Sequence, residues 1–172
     1  MATRYLAYGS NLHPLRLRER VASARLIGTT SVTGWCLAFN KRGQDGSGKC
    51  TIVQGDGSLL AAVYEISRAD RTRLDAIEGV GEGYLPHVVN VPEFGECSTY
   101  IAEAAYIDDA LLPFCWYRNL VLAGAISHGA DKHYLARIRL LRIRVDANAQ
   151  RREQNERLVE RLYRHHTDEP SP

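Results

Sequence analysis

The 172-residue chain is 45% hydrophobic and 24% charged, a composition that suits one compact domain with a full apolar core. Its formal net charge of +2 is too small to indicate binding to nucleic acid, and no apolar stretch approaches the roughly 20 residues that cross a bilayer. The N-terminus lacks the pattern of a signal peptide, so we expect a cytoplasmic protein that is not bound to membranes.

The start of the chain predicts a strand at residues 3–8 and a short helix at 14–22. Gly9, Ser10 and Asn11 lie between them. Gly9 allows the backbone to approach a ligand closely, and the side chains of Ser10 and Asn11 suit a helix N-cap. Because the first N–H groups of a helix lack intrahelical partners, this turn is predicted to hold an anion. An ordinary strand-to-helix turn is the alternative.

The following part of the chain is rich in β-branched and aromatic residues, which are typical of strands. Strands are predicted at 24–29, 32–40, 50–54 and 59–66. A tight turn is expected between the first two strands, and a polar Gly-rich loop at 41–49 before the third. The segment Gly55-Asp56-Gly57 predicts a hairpin connection between the last two.

Ser67 predicts the N-cap of a helix, with Asp70 completing an imperfect capping box, and the glycines that follow Glu78 predict its end. A carboxylate is disfavoured near the negative end of a helix dipole. Glu78 is therefore expected either to face solvent, as most such residues do, or to be held there for a function. A functional Glu78 would act as a general acid and base.

The remaining chain changes from strands to helices. Strands are predicted at 84–92 and 97–106, and helices at 113–127, 131–141 and 147–165. Strands followed by helices indicate an α+β fold, and six or seven short strands need a closed barrel or a covered sheet to protect their edges. We predict one domain over 1–146, a charged helix packed on it over 147–166, and a disordered tail over 167–172.

Two features of the helical part have alternative interpretations. Tyr117 either contacts a ligand from its helix or is a core aromatic residue with a satisfied hydroxyl. The C-terminal helix has an apolar stripe of Leu158, Leu162 and Tyr163. This stripe packs either on the same chain or on a second copy, and the second alternative predicts a homodimer. The cysteines have no CxxC pair or metal-type spacing with the histidines, so we expect reduced thiols and no metal site.

Three blocks of sequence together resemble a known family. They are Tyr8-Gly9-Ser10-Asn11-Leu12; Ala62-Val63-Tyr64-Glu65-Ile66 with Leu74-Asp75, Glu78-Gly79-Val80 and Gly83-Tyr84; and Tyr117 with Gly124-Ala125 and Tyr134-Leu135. Their order and spacing are similar to those of the γ-glutamylcyclotransferase (AIG2-like) family, over roughly residues 5–140. Asn11 before Leu12 separates the chain from the glutathione-specific relatives, whose loop is of the Gly-Tyr-Gly-Ser-Leu type.

The resemblance implies a small mixed β-barrel with flanking helices, and a ligand cavity between the first turn and Glu78. It implies that Glu78 is the catalytic acid/base and that Tyr117 contacts the substrate. The substrate-binding loop would comprise Tyr8, Gly9, Ser10, Asn11 and Leu12. The implied reaction is cyclisation of a γ-glutamyl amide or peptide, which releases 5-oxoproline and a free amine or amino acid without a cofactor. The alternatives are removal of a protecting γ-glutamyl group in a biosynthetic pathway, or a non-catalytic module that binds an acidic metabolite on the same barrel.

Overall fold

The computed structural model of the chain describes residues 2–168. Its strands are β1 (Ala2–Ala7), β2 (Arg25–Arg42), β3 (Gly48–Ser67), β4 (Tyr84–Val91) and β5 (Gly95–Ala102). Its helices are α1 (Pro14–Arg20), α2 (Arg68–Glu78), α3 (Cys115–Ser127), α4 (Lys132–Arg139) and α5 (Ala149–Asp168). A short 3₁₀ turn at Ala104–Tyr106 follows β5. No helix within residues 2–168 is long and apolar enough to span a membrane.

These strands form one mixed sheet in the order β2-β3-β1-β5-β4. Strand β1 pairs antiparallel with β3 and parallel with β5, so the start of the chain lies at the centre of the sheet. The sheet curves into a half-barrel flanked by helices, which confirms the predicted α+β fold class. Because β1 is paired on both sides and its last three residues are buried, whatever follows Ala7 is held firmly.

The structure has fewer strands within residues 2–168 than the predicted six or seven, because two predicted breaks lie inside continuous strands. Residues 30 and 31 pair regularly with β3; they are polar because β2 is an edge strand with one face towards solvent. Gly55-Asp56-Gly57 is not a hairpin. It faces Gly34, which has a φ of 85°, at a bulge, and a Cβ atom on Gly57 would lie 2.4 Å from Sγ of Cys36. The hairpin turn lies at residues 43–47, inside the predicted polar loop.

Helix α2 has the predicted boundaries. The Ser67 hydroxyl accepts a hydrogen bond from the Asp70 N–H at 3.1 Å, and Gly79 ends the helix with a φ of 68°. The second half of the predicted capping box does not form. The Asp70 carboxylate instead accepts a hydrogen bond from the Ser23 N–H at 2.9 Å, which ties the helix to the segment between α1 and β2.

The apolar stripe of α5 packs within the same chain, because Leu162 is fully buried and α5 contacts α3. The helix begins at Ala149 and continues to Asp168, three residues beyond its predicted end at residue 165. The rest of the predicted tail, 169–172, lies outside the described residues. The division into a domain and an added helix stays a prediction, as does the homodimer.

Candidate active site

The two segments singled out in the sequence meet at a small cavity. The amide nitrogen Nδ2 of Asn11 donates a hydrogen bond to Oε1 of Glu78 at 2.9 Å, although the two residues are 67 positions apart. The cavity has a volume of about 30 Å³. It is lined by Tyr5, Tyr8, Gly9, Ser10, Asn11, Cys50, Glu78, Tyr84, Tyr100 and Tyr117.

The length of α2 explains how Glu78 reaches the turn. In the antiparallel pair of β1 and β3, Ser67 lies opposite Ala2 and Ala62 lies opposite Ala7. Helix α2 begins directly after Ser67 and contacts β1. Its 11 residues span roughly 16 Å at 1.5 Å per residue, which matches the roughly 17 Å from Ala2 to Ala7 along the strand. The C-terminal end of the helix therefore lies beside the turn that follows β1.

The turn itself differs from the prediction in one respect. The Leu12 N–H donates to the Gly9 carbonyl at 3.0 Å, which closes a reverse turn, whereas the N-cap of α1 is His13. Ser10 and Asn11 therefore do not cap the helix, because Leu12 and His13 separate them from it. The backbone N–H groups of Gly9, Ser10 and Asn11 donate no hydrogen bond within residues 2–168, so they are available to a ligand.

Glu78 accepts hydrogen bonds from one amide and one cation, the side chains of Asn11 and Arg20. Arg20 Nη1 donates to Glu78 Oε1 at 3.0 Å and to the Asn11 carbonyl oxygen Oδ1 at 2.5 Å. The Glu78 side chain is 17% exposed. Its other oxygen, Oε2, accepts no hydrogen bond from the described part of the chain. The Arg20 guanidinium offsets the unfavourable position of a carboxylate at a helix C-terminus and leaves one carboxylate oxygen free to exchange a proton.

The tyrosines around the cavity are neutral hydrogen-bonding groups. Tyr8 donates to the Tyr100 carbonyl at 2.6 Å, and Tyr84 donates to the Cys50 carbonyl at 2.5 Å. Tyr117 accepts from the Cys50 N–H at 3.0 Å, and its hydroxyl also interacts with the Cys50 thiol. Burial raises the pKa of Tyr8, Tyr84 and Tyr117 well above 10, so these hydroxyls stay protonated at neutral pH.

Leu12 is the predicted site residue that does not line the cavity. Its side chain is fully buried, and a Cβ atom on Gly124 would lie 2.9 Å from its Cβ. Its carbonyl accepts hydrogen bonds from the hydroxyl of Tyr64 and from Nε2 of His128, both at 2.8 Å. Leu12 therefore fixes the turn to the core, while Tyr8, Gly9, Ser10, Asn11, Tyr117 and Glu78 come together around the cavity.

A thiol also faces this cavity. Burial raises the pKa of Cys50 to about 12, so the thiol is neutral at physiological pH. The thiolate is the nucleophilic form of cysteine, and Cys50 is therefore poorly suited to covalent catalysis. No group of three or more His, Cys, Asp or Glu residues placed to hold a metal occurs within 2–168.

A larger groove of about 620 Å³ lies next to the cavity. The two share four lining residues: Ser10, Glu78, Tyr84 and Tyr117. The charged side chains of the groove are Arg16, Arg20, Lys41, Asp45, Lys49, Glu78, Glu82 and Arg151. A ligand whose polar end enters the cavity would extend into this groove, which has the size of typical small-molecule sites.

Sequence reasoning missed several of these groups. Arg16 and Arg20 are four residues apart, which places them on one face of α1, and this spacing directly after the turn was an available signal. The tyrosines at 5, 84 and 100 and the lysine at 41 come from strands of the sheet, and they converge only because the sheet curves.

The chain is similar to several known proteins. The model of the AIG2-like family matches residues 58–138. No curated protein matches the chain. A solved structure of a γ-glutamyl cyclotransferase is 23% identical, with a TM-score of 0.78 over 94% of this chain and 99% of that one. The human protein loc79017 is 22% identical, with a TM-score of 0.74 over 92% of this chain and 98% of that one.

YkqA from Bacillus subtilis is more distant, at 17% identity and a TM-score of 0.68, covering 83% of this chain and 56% of its own length. The TM-scores show that these proteins share a fold with the chain, and identities below 25% carry no more than that. The family match covers α2, Glu78 and the first part of the helical region, and the shared fold extends over nearly all of the chain. The sequence-based assignment is confirmed: this chain resembles the AIG2-like family over residues 58–138 and has the fold of γ-glutamyl cyclotransferase.

Proposed function

We propose that this protein is an enzyme that cyclises a γ-glutamyl amide or peptide, releasing 5-oxoproline and a free amine or amino acid. The observation that carries the proposal is the contact between Asn11 and Glu78 at 2.9 Å. This contact places the Glu78 carboxylate, one oxygen of which accepts no hydrogen bond, in the same cavity as the turn and its unbonded N–H groups. The AIG2-like family match and the cyclotransferase fold support the same type of activity.

The reaction needs little covalent chemistry from the protein. The α-amine of the substrate attacks its own γ-carbonyl, a new C–N bond closes the five-membered ring, and the old amide C–N bond breaks. An enzyme accelerates this step by folding the substrate into a reactive conformation, a proximity effect. The neutral Cys50 thiol agrees with a mechanism that needs neither an enzyme nucleophile nor a cofactor.

Glu78 would move the protons. Its oxygen Oε2 would take a proton from the attacking amine and later deliver one to the departing nitrogen, so that no net proton is gained or lost. Asn11 and Arg20, which both donate to Oε1, would keep the carboxylate oriented while Oε2 exchanges the proton.

The turn would hold the substrate. The N–H groups of Gly9, Ser10 and Asn11 would bind the α-carboxylate or the oxyanion that develops on the γ-carbonyl. Tyr117 would donate a hydrogen bond to the same glutamyl group, and Tyr8 would line its cavity. The cavity has room for about two water molecules, which is close to the size of a carboxylate group.

The decisive variant is Glu78→Gln, which keeps the side-chain shape and removes the proton shuttle. We expect the release of 5-oxoproline from γ-glutamyl dipeptides and amines to fall at least about a thousandfold, because the acid and the base are lost together. Glu96→Gln is the matched control, since Glu96 is exposed on β5 and lines neither cavity.

Equal turnover by the parent and Glu78→Gln would overturn the mechanism. If the parent binds γ-glutamyl compounds tightly in calorimetry but releases no 5-oxoproline, the protein is instead a binding module on the same fold. Turnover restricted to one γ-glutamylated intermediate, among a panel of dipeptides, amines and glutathione, would indicate removal of a protecting group.

A further inference from the structure

Two cations in the groove lack an anionic partner, and Lys41 is the clearer of them. Lys41 is only 6% exposed, and it forms no ion pair within residues 2–168. Its ammonium instead lies over aromatic rings, 4.4 Å from the ring centre of Tyr84 and 5.5 Å from that of Tyr106. A ring face stabilises a cation less than a paired anion does, so the Lys41 ammonium would be stabilised further by an anionic ligand.

The sheet register adds an independent argument about Lys41. Lys41 lies directly opposite Lys49 in the pair of β2 and β3. Like charges at opposed positions of a sheet are destabilising. Lys49 pairs with Asp45 at 2.7 Å, whereas Lys41 faces the groove without an ion pair and is attracted only at longer range by carboxylates such as Glu78. An unfavourable charge that the fold keeps beside a cavity is typical of a ligand-binding position.

Arg16 is the second cation. Its Nε atom is buried and has no hydrogen-bond partner among the described residues, and its guanidinium forms no ion pair there. Arg20, one helical turn away, is bound to Glu78 and adds a like charge. Burial and this neighbour lower the pKa of Arg16 to about 10, which leaves it charged at neutral pH. The Nε atom of Arg16 is thus a buried donor in the groove wall without an acceptor.

The other charges of the groove are accounted for. Lys49 pairs with Asp45 and Arg151 with Asp146, both at 2.7 Å, and Arg20 pairs with Glu78 at 3.0 Å. Glu82 is exposed at the edge, where solvent and salt screen it. The groove therefore presents two poorly solvated positive charges beyond the carboxylate that is proposed to be catalytic.

We propose that this groove selects substrates whose leaving amine carries two anionic groups, as the acidic amino acids do, over substrates with neutral or cationic leaving groups. The proposal rests on the cyclotransferase activity proposed above. The glutamyl end occupies the cavity next to Glu78, and the two anionic groups of the leaving amine contact Lys41 and Arg16. An unpaired buried cation gains most from a charged acceptor, so each contact favours the acidic substrate.

The test compares γ-glutamyl-glutamate, γ-glutamyl-alanine and γ-glutamyl-alaninamide, whose leaving groups carry two, one and no carboxylates. We expect kcat/KM of the parent to rise about tenfold with each carboxylate, the size of a hydrogen bond to a charged group. Lys41→Met and Arg16→Met should each lower kcat/KM for γ-glutamyl-glutamate about tenfold more than for γ-glutamyl-alaninamide. Arg18→Met is the control, since it removes an exposed cation from the same helix outside the groove.

The outcomes separate this inference from the proposed function. Release of 5-oxoproline at the same kcat/KM from all three substrates overturns the inference and leaves the cyclotransferase intact. If the parent releases no 5-oxoproline from any of the three substrates, calorimetry with Glu78→Gln measures their binding instead. Tighter binding of γ-glutamyl-glutamate than of γ-glutamyl-alaninamide would then support the anionic groove while the proposed reaction fails, and equal binding would overturn both. The comparison among substrates uses the parent, so it stands even if a groove variant does not fold.

Discussion

The cavity and the groove are neighbours, but they are built in different ways. Around the cavity, several neutral hydroxyl groups bond to backbone atoms: Tyr8 donates to the Tyr100 carbonyl, and Tyr84 donates to the Cys50 carbonyl. The groove is instead lined by long charged side chains from α1, α5, the adjoining ends of β2 and β3, and the turn between those strands. The first arrangement suits fixed chemistry, and the second suits recognition of a variable part of a substrate.

The same contrast appears in how each region is supported. The cavity is supported by β1, the central strand, and by the end of α2, which Asn11 and Arg20 tie to the turn. The groove draws on side chains at the periphery of the fold, of which Lys41 and Arg16 lack anionic partners within residues 2–168. We therefore expect changes at the cavity to affect every substrate alike, and changes at the groove to depend on the leaving group.

Gly9→Ala should give the largest effect among changes that leave Glu78 in place. A Cβ atom on Gly9 would lie 2.9 Å from Cβ of Cys50, so the turn or the strand must move. A displacement of this kind separates the N–H groups from Glu78. We expect kcat/KM to fall about a hundredfold for γ-glutamyl-glutamate and γ-glutamyl-alaninamide alike, measured as 5-oxoproline release.

Gly55→Ala is a matched control for that variant. Its new Cβ atom would lie 3.1 Å from Sγ of Cys36, a comparably tight contact, but at a bulge outside both cavities. It should lower thermal stability without changing kcat/KM. A loss of activity in Gly9→Ala that is confined to one leaving group would contradict the division between cavity and groove.

The buried carboxylate of Asp146 binds Arg151 at one end of the groove, and removing it should lower stability rather than catalytic activity. Asp146 is 1% exposed and accepts hydrogen bonds from Arg151 at 2.7 Å and from the Trp116 indole at 2.9 Å. We expect Asp146→Asn to lower the free energy of unfolding by about 2 kcal/mol in urea titrations. Asp56→Asn, at an exposed position, should change it little.

This stabilisation should depend on pH in a defined direction. Hydrogen bonds from Arg151 hold the pKa of Asp146 well below its usual range. A depressed pKa stabilises the fold above the unfolded pKa of about 3.9, and the stabilisation is lost as the pH falls towards the lower folded pKa. The difference between parent and Asp146→Asn should therefore shrink as the pH is lowered from 7 to 3. A constant difference would show that the hydrogen bonds act independently of the charge.

The fold was predictable where local signals and tertiary structure agree. Helix α2 matches its prediction because Ser67 and Gly79 are strong end signals. The predicted breaks at residues 30–31 and 55–57 failed because polar residues and glycines also occur within edge strands and at bulges. Local composition does not tell a turn from a bulge; the pairing partner does.

The site was predictable only in part, for a related reason. The family resemblance pointed to Glu78 and to the turn at residues 9–11, and the structure brings these together. Lys41 went unnoticed because its importance depends on the absence of an ion pair among the described residues, which is a property of three-dimensional packing. Arg20 is a similar case, since its contact with Glu78 joins positions 58 residues apart.

The smallest expected effect is at Cys50, which lies in the cavity wall between the turn and Tyr117. Its thiol has a pKa of about 12 because of burial, so it should carry no negative charge over the working pH range. Cys50→Ser is close in shape and keeps the backbone bonds to Tyr117 and Tyr84, and we expect an unchanged kcat and an unchanged alkaline limb of its pH profile. If kcat instead falls at least about a hundredfold while the melting temperature stays that of the parent, the thiol takes part in the reaction. The cavity would then act through a covalent step, and its contrast with the groove would no longer be one between positioning and recognition.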